Sequence, residues 1–336
     1  MGRAFTLQIG SMKKVIIIGG GGYVGSELTR ILLEQGYKVV VYDLFIYGNT
    51  LPKNQNLEIV NGDIRNIDLL NKTIKDVDNL IHLACISNDP SFDLNPDLGK
   101  SINFDPFEDL VKISKENGVK RFIYASSSSV YGIKSETNVD ETFSLQPLTD
   151  YSKFKAMCEE VLFKYKNNEF VCSCIRPATV CGYSRRQRFD LVVNILTNHA
   201  YNNKEIKIFG GNQLRPNIHI TDMCNSYLCL LEADKNLING EAFNVGFENH
   251  SVSKLGDIIN QSLGGSIKIL NVPSNDDRSY HISSKKISNI LGFAPNFTIQ
   301  EAVADIKRAF EKKLFKDPLS NEMYFNIKRM KSINLV

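Results

Sequence analysis

The chain has 336 residues, 43% of them hydrophobic, with 40 basic and 37 acidic side chains and a formal net charge of only +3. That balance lacks the concentrated basic footprint of a protein that binds nucleic acid or an anionic membrane surface, so neither is expected as a partner. No apolar run approaches the ~20 residues of a bilayer span.

Residues 1–11 lack the basic-then-apolar order of a signal peptide and are set aside as a tag remnant or loose extension, so a cytoplasmic protein is expected. The seven cysteines and five histidines show no C-x-x-C and no zinc-ligand spacing. Reduced, mostly buried thiols and no metal are expected.

The elements alternate along the first half. Residues 15–18 (VIII) are a continuous apolar run, as in a strand covered on both faces. Gly19-Gly-Gly-Gly22-Tyr23-Val24-Gly25 follows directly and opens a helix in which Val24, Leu28, Ile31 and Leu32 recur at helical spacing, with Gly36 as its stop. Close approach of a pyrophosphate to backbone N–H groups requires residues without Cβ atoms there. The run fits both G-x-x-G-x-x-G (Gly19, Gly22, Gly25) and G-x-G-x-x-G (Gly20, Gly22, Gly25), so the register stays open.

Residues 38–42 (KVVVY) form the second strand, ended by Asp43, 18 residues after Gly25. An acid there accepts both ribose hydroxyls of NAD and repels the extra phosphate of NADP, and residues 44–49 hold no lysine or arginine to welcome it. NAD is the expected cofactor. Strands follow at 57–60 and 79–83, then a helix at 104–117, a strand at 121–126, a helix at 151–166 and a strand at 170–175, where Cys172 and Cys174 share one face. Such alternation predicts an α/β fold, a doubly wound parallel sheet of Rossmann type. Beyond residue 177 regularity breaks down. The expected organisation is a dinucleotide-binding domain at 12–177, mainly a smaller substrate-binding lobe at 178–315, and a tail at 316–336.

Tyr151 and Lys155 stand at i and i+4, on one helix face. A phenol with a pKa near 10 is a poor base at neutral pH unless a cation stabilises the phenolate, which Lys155 can do. A second Y-x-x-x-K, Tyr324 to Lys328, falls in the tail and reads as surface. What distinguishes the first is the serine run 126–129 at the end of the preceding strand, where doubly wound sheets bind ligands.

Together, the glycine turn, Asp43, Asp63-Ile64, His82-Leu-Ala84, the 126–132 serine segment, Tyr151 with Lys155 and Arg176-Pro177 resemble the extended short-chain dehydrogenase/reductase family of nucleotide-sugar epimerases and dehydratases. The resemblance implies that the turn from Gly19 through Gly22, Tyr23, Val24 and Gly25 holds the cofactor. It implies that Asp63 and Ile64 hold the adenine, and that Leu83 and Ala84 line the pyrophosphate and nicotinamide ribose. Ser127 becomes the catalytic hydroxyl, Tyr151 the base and Lys155 the ribose-binding cation. It also implies a homodimer built on the helices at 104–117 and 151–166.

For a nucleotide-diphosphate sugar, the same resemblance assigns Ser87, Ser128, Thr179, Leu191, Arg215 and Arg278 to the substrate, the two arginines to its diphosphate. Ser128 and Ser129 stand where related 4,6-dehydratases place Asp-Glu, so hydride transfer without loss of water is expected. The segment 176–194 and Ser87-Asn-Asp-Pro90 point to a branch acting on sugars of bacterial surface polysaccharides. The main expectation is NAD-dependent oxidation at C4, with GDP-heptose the suggested substrate. The alternative is a UDP-galactose-type 4-epimerase. A non-catalytic NAD(P) sensor is a third reading, which the intact Tyr151–Lys155 pair opposes.

Overall fold

The computed structural model describes residues 13–134, 136–274 and 281–335. Six strands arrive in the expected order, with bounds shifted by at most two residues: β1 (Lys14–Ile18), β2 (Lys38–Asp43), β3 (Leu57–Asn61), β4 (Asn79–His82), β5 (Arg121–Ala125) and β6 (Val171–Pro177). Later come β7 (Thr179–Cys181), β8 (Glu205–Phe209), β9 (Leu214–His219), β10 (Glu241–Val245), β11 (Glu248–Ser251) and β12 (Lys268–Val272). The main sheet is parallel, seven-stranded and ordered β10-β6-β5-β4-β1-β2-β3. The fold is therefore α/β of Rossmann type.

Period-2 alternation divides each strand between two cores. Val15, Ile17, Val39, Val41, Ile81 and Ile123 face one side, under the helices Tyr23–Glu34 and Ile220–Glu232. Ile16, Ile18, Val40, Tyr42, Leu80, Phe122 and Tyr124 face the other, under the helices Phe107–Glu116 and Asp150–Lys164. Burial on both faces is why the central strands read as unbroken apolar runs. Cys172 and Cys174 lie together in the second core, and all seven cysteines are unpaired.

The helix expected at 104–117 is shorter. Pro106 stands at its N-cap, and a separate helix, Pro96–Asn103, precedes it. Proline disfavours helical backbone at the residue before it, which breaks the continuous apolar pattern into two helices.

Beyond residue 177 the chain divides between layers. Strands β11, β9 and β7 form one small sheet, and β12 pairs with β8. These surround a third core that includes Val193, Ile206, Ile208, Leu255 and Ile259. The helix Ile220–Glu232 and β10 instead return to the main sheet, β10 pairing in parallel with β6. The tail is also engaged: the helix Asn326–Ser332 buries Asn326 and Met330, and Phe325 packs with Phe189 and Phe310.

Candidate active site

Strand order reverses about β1, whose neighbours are β4 and β2, and the chain leaves β1 and β4 in opposite directions. A crevice opens outside the carboxyl ends at such a point. Here it is a cavity of about 370 Å³ lined by Gly19, Gly22, Tyr23, Val24, Gly25, Asp43, Ile64, Leu83 and Ala84, among others. The sides of the turn are close-packed. A Cβ on Gly19 (φ +87°) would lie 2.4 Å from the Ala84 nitrogen, and one on Gly25 2.4 Å from the Gly19 oxygen. Gly20 instead meets the Val41 methyls and does not line the cavity, which favours the Gly19/Gly22/Gly25 register.

Asp43 accepts hydrogen bonds from the backbone N–H groups of Gly21 (2.9 Å) and Phe45 (2.7 Å). Burial pushes its pKa up, and those two donors pull it back. This Cβ-free cradle with a buried acid fits a dinucleotide. Asp63 lies between Gly62 and Ile64, which line the cavity, while its own carboxylate forks onto Arg65 (2.9 and 2.6 Å). The close-range pair with a guanidinium two residues away turns it outward, and holds its pKa low.

The helix Asp150–Lys164 starts on a capping box, in which Thr149 Oγ1 accepts from the Ser152 N–H and Ser152 Oγ from the Thr149 N–H. Its buried face repeats at helical spacing through Ser152, Lys155, Ala156 and Glu159, which directs Lys155 inward. Lys155 Nζ donates to the Ala125 oxygen at 2.6 Å, tying the helix to the end of β5. The ammonium lies 5.8 Å from the centre of the Tyr151 ring. Ser127, Ser128, Ser129, Tyr151 and Lys155 all line the cavity. Ser127 Oγ is 2.8 Å from Ser129 Oγ. Burial holds the Tyr151 phenol well above the usual tyrosine range; Cys85 and Asp89 push the same way, while Arg188 and a hydrogen bond with Ser127 oppose it.

His82, at the end of β4, is buried against Phe107 and Tyr124, and its Nδ1 has no partner among the described residues. Burial, aided by the Lys155 charge, lowers its pKa to about 3. The unfolded chain binds a proton near pH 6.5, whereas the folded one stays neutral down to about 3, so stability falls as pH drops through this window. The slope from this one residue is ~1.4 kcal/mol per pH unit. We expect melting temperatures measured from about pH 6.5 down to about pH 4.5 to fall less steeply in His82→Leu than in the wild type.

Of the residues expected at the substrate, Ser87, Ser128, Thr179 and Leu191 line the same cavity. Arg215 lines a smaller adjoining one of about 130 Å³, together with Asp89 and Ser129, both of which also border the main cavity. Arg278 lies outside the described residues. Arg176, from the Arg176-Pro177 motif, is structural, as are His219 and Asp222 beside the second lobe. Arg176 forks onto Glu159 (2.6 to 3.2 Å) and donates to the Tyr131 hydroxyl at 2.8 Å, all buried. His219 caps the helix Ile220–Glu232, and Asp222 accepts from the Asn296 and Phe297 N–H groups.

Sequence reasoning missed one wall. Tyr47, Arg186, Arg188 and the tail residues Asn326 and Leu335 also line the cavity. Arg188 donates to Asp190 (2.8 Å) and to Ser87 Oγ (3.0 Å). The only sequence signal was the run Arg185-Arg-Gln-Arg188, in a loop bearing more positive charge than its neighbours need.

The NAD dependent epimerase/dehydratase family model matches residues 15–246. A UDP-glucose 4-epimerase of Halalkalibacterium halodurans is 26% identical over 323 residues, covering 87% of this chain and 93% of its own. The crystal structure of UDP-glucuronic acid 4-epimerase from Bacillus cereus, in complex with UDP-glucuronic acid and NAD, superposes with a TM-score of 0.78 at 27% identity, over 90% of this chain and all of the other. That of UDP-glucose 4-epimerase from Thermotoga maritima, with UDP-glucose, reaches 0.81 at 23% identity over 90% of this chain and all of the other, a likeness of fold. Both of these relatives above 25% identity are named as 4-epimerases and neither for GDP-heptose, which favours the alternative sequence expectation over the main one.

Proposed function

Because the chain belongs to the NAD-dependent epimerase/dehydratase family, we propose that it is a 4-epimerase of a nucleotide-diphosphate sugar, of UDP-hexose type. The observation that carries this reading is the grouping of Ser127, Tyr151 and Lys155 in one cavity with the glycine turn, with serines and no carboxylate at positions 128 and 129.

In this reading Gly19, Gly22 and Gly25 admit the NAD pyrophosphate, Asp43 accepts the adenosine ribose hydroxyls, and Leu83 and Ala84 floor the pocket. When bound, NAD supplies the hydride acceptor and a positive charge beside the phenol. Ser127 Oγ orients the reacting C4 hydroxyl. Tyr151 Oη takes its proton and later returns one, and the Lys155 ammonium steadies the phenolate between. Neither Ser128 nor Ser129 can exchange a proton as a carboxyl group does at neutral pH, so elimination of water has no acid–base pair there. Arg215, from the adjoining cavity, and Arg278 serve the substrate diphosphate.

The protein acts in the cytoplasm in this reading, in keeping with seven unpaired cysteines, five of them buried. Among the described residues no helix is long and apolar enough to cross a membrane. It dimerises through the helices Phe107–Glu116 and Asp150–Lys164, which Tyr165 Oη joins by a 2.6 Å bond to Glu108.

Incubation with UDP-, GDP-, dTDP- and CDP-hexoses, followed by mass spectrometry and chromatography, tests the assignment. An isomer of unchanged mass with no accumulating NADH is expected. A product lighter by two hydrogens with stoichiometric NADH returns the reaction to net oxidation, and loss of one water overturns both.

A further inference from the structure

We infer that Arg186 grips the pyrophosphate of the bound dinucleotide, and that the C-terminal segment around Asn326 is the strap that holds this arginine in place. The premise is NAD binding alone; the sugar reaction does not enter.

Arg186 is 3% exposed, and its guanidinium carbon lies 3.7 Å from the centre of the Tyr47 ring. Nη2 donates to Asn326 Oδ1 at 2.7 Å, whereas Nε is buried with no hydrogen-bond partner among the described residues. Among the described residues no carboxylate forms an ion pair with it; the neighbouring Asp190 is taken by Arg188. A buried guanidinium is costly unless an anion compensates it, and here Asp190 and Asp43 act on it only at a distance, without an ion-pair contact. Burial, reinforced by Arg188, pushes its pKa down to about 10, so it still carries its charge at neutral pH.

The anion that belongs there follows from where the loop is anchored. Ser184 Oγ lies 2.9 Å from Ser26 Oγ and donates to the Tyr23 oxygen at 2.8 Å. This fastens the arginine loop to the first turn of the helix Tyr23–Glu34. That turn, with the glycines before it, is the end of a helix that draws phosphate. Tyr47 comes from the segment after Asp43, and Asp43 itself is close enough to perturb Arg186. Arg186 thus lines the same cavity as the glycine turn, with a forked donor suited to phosphate oxygens.

The strap is made of tail residues. Asn326 donates from its backbone to Asp190 Oδ2 (2.8 Å) and from its side chain to Ser87 Oγ (3.1 Å). Arg329 Nε donates to the Ile46 oxygen at 2.6 Å, and Leu335 reaches the cavity wall. These bonds join the loops after β2, β4 and β7 over the cofactor. Release of the dinucleotide then requires the strap to detach, and the cofactor stays bound through repeated turnovers.

The test uses full-length wild type and Arg186→Gln, with NADH fluorescence displaced by adenosine, ADP and 2′,5′-ADP. Wild type should prefer ADP to adenosine, and Arg186→Gln should cut that preference ~10-fold and lose NAD on gel filtration. Equal weakening of adenosine and ADP reduces Arg186 to a structural role and overturns the inference. A loss confined to 2′,5′-ADP relative to ADP also overturns it, since the contact would then be to a 2′-phosphate. Should Arg186→Gln not fold, Asn326→Ala keeps the guanidinium but removes the strap's side-chain hold on it and on Ser87. NADH should then dissociate at least ~5-fold faster, about 1 kcal/mol at ~1.4 kcal/mol per tenfold, and an unchanged release rate overturns the proposal.

Discussion

Tyr151→Phe should lower turnover by at least ~10²-fold while the protein keeps its NAD, because it removes the hydroxyl that transfers the proton in the proposed reaction and leaves the ring. The ring stays where it is, packed edge-on against Phe92 with centroids 6.4 Å apart. Lys155 keeps its bond to the Ala125 oxygen, and the glycine cradle lies on other elements. Turnover of a UDP-hexose measured beside the NAD released on denaturation separates chemistry from binding. Near-normal turnover removes Tyr151 from the mechanism; loss of both turnover and NAD makes it a structural residue.

Gly25→Ala should strip the cofactor from the protein. The added Cβ would lie 2.4 Å from the Gly19 oxygen and 2.6 Å from Gly20 Cα, both backbone atoms. Gly19 has little room of its own, since a Cβ there would lie 2.4 Å from the Ala84 nitrogen. The turn must move into the space the pyrophosphate needs. Overpacking of this kind costs about 1–3 kcal/mol of stability, and a comparable loss of binding is roughly 5- to 150-fold in affinity. At Gly22 a Cβ meets only the Gly19 oxygen, at 3.3 Å, so Gly22→Ala should leave the melting temperature closer to that of the wild type. Equal melting temperatures and NAD content in Gly25→Ala and wild type would show that the turn has room.

Local pattern determined most of the first half. Strands β1, β2, β4, β5 and β6 are written largely as apolar runs because both faces of each central strand are buried, and that condition acts residue by residue. The glycine turn, Asp43 and the Tyr151–Lys155 pair were legible for a similar reason. Each depends on spacing within one turn, one strand end or one helix face, and spacing survives in sequence.

Tertiary structure decided what depends on separated segments meeting. Residues 44–49 carry no cation, yet Arg186 arrives at Tyr47 from a loop 139 residues away in the chain, so the cofactor pocket is more positive than its second strand suggests. Asp63 fits a cofactor motif, but its carboxylate is claimed by Arg65, a competition between two neighbours that no motif records. Strand β10 joins the main sheet beyond β6 after some sixty residues that largely build another layer, and its five residues look alike in either place. The tail has no periodicity because it is held by single contacts, Asn326 to two loops and Arg329 to the Ile46 carbonyl, and not by one continuous apolar face. Such contacts leave no repeat in the sequence.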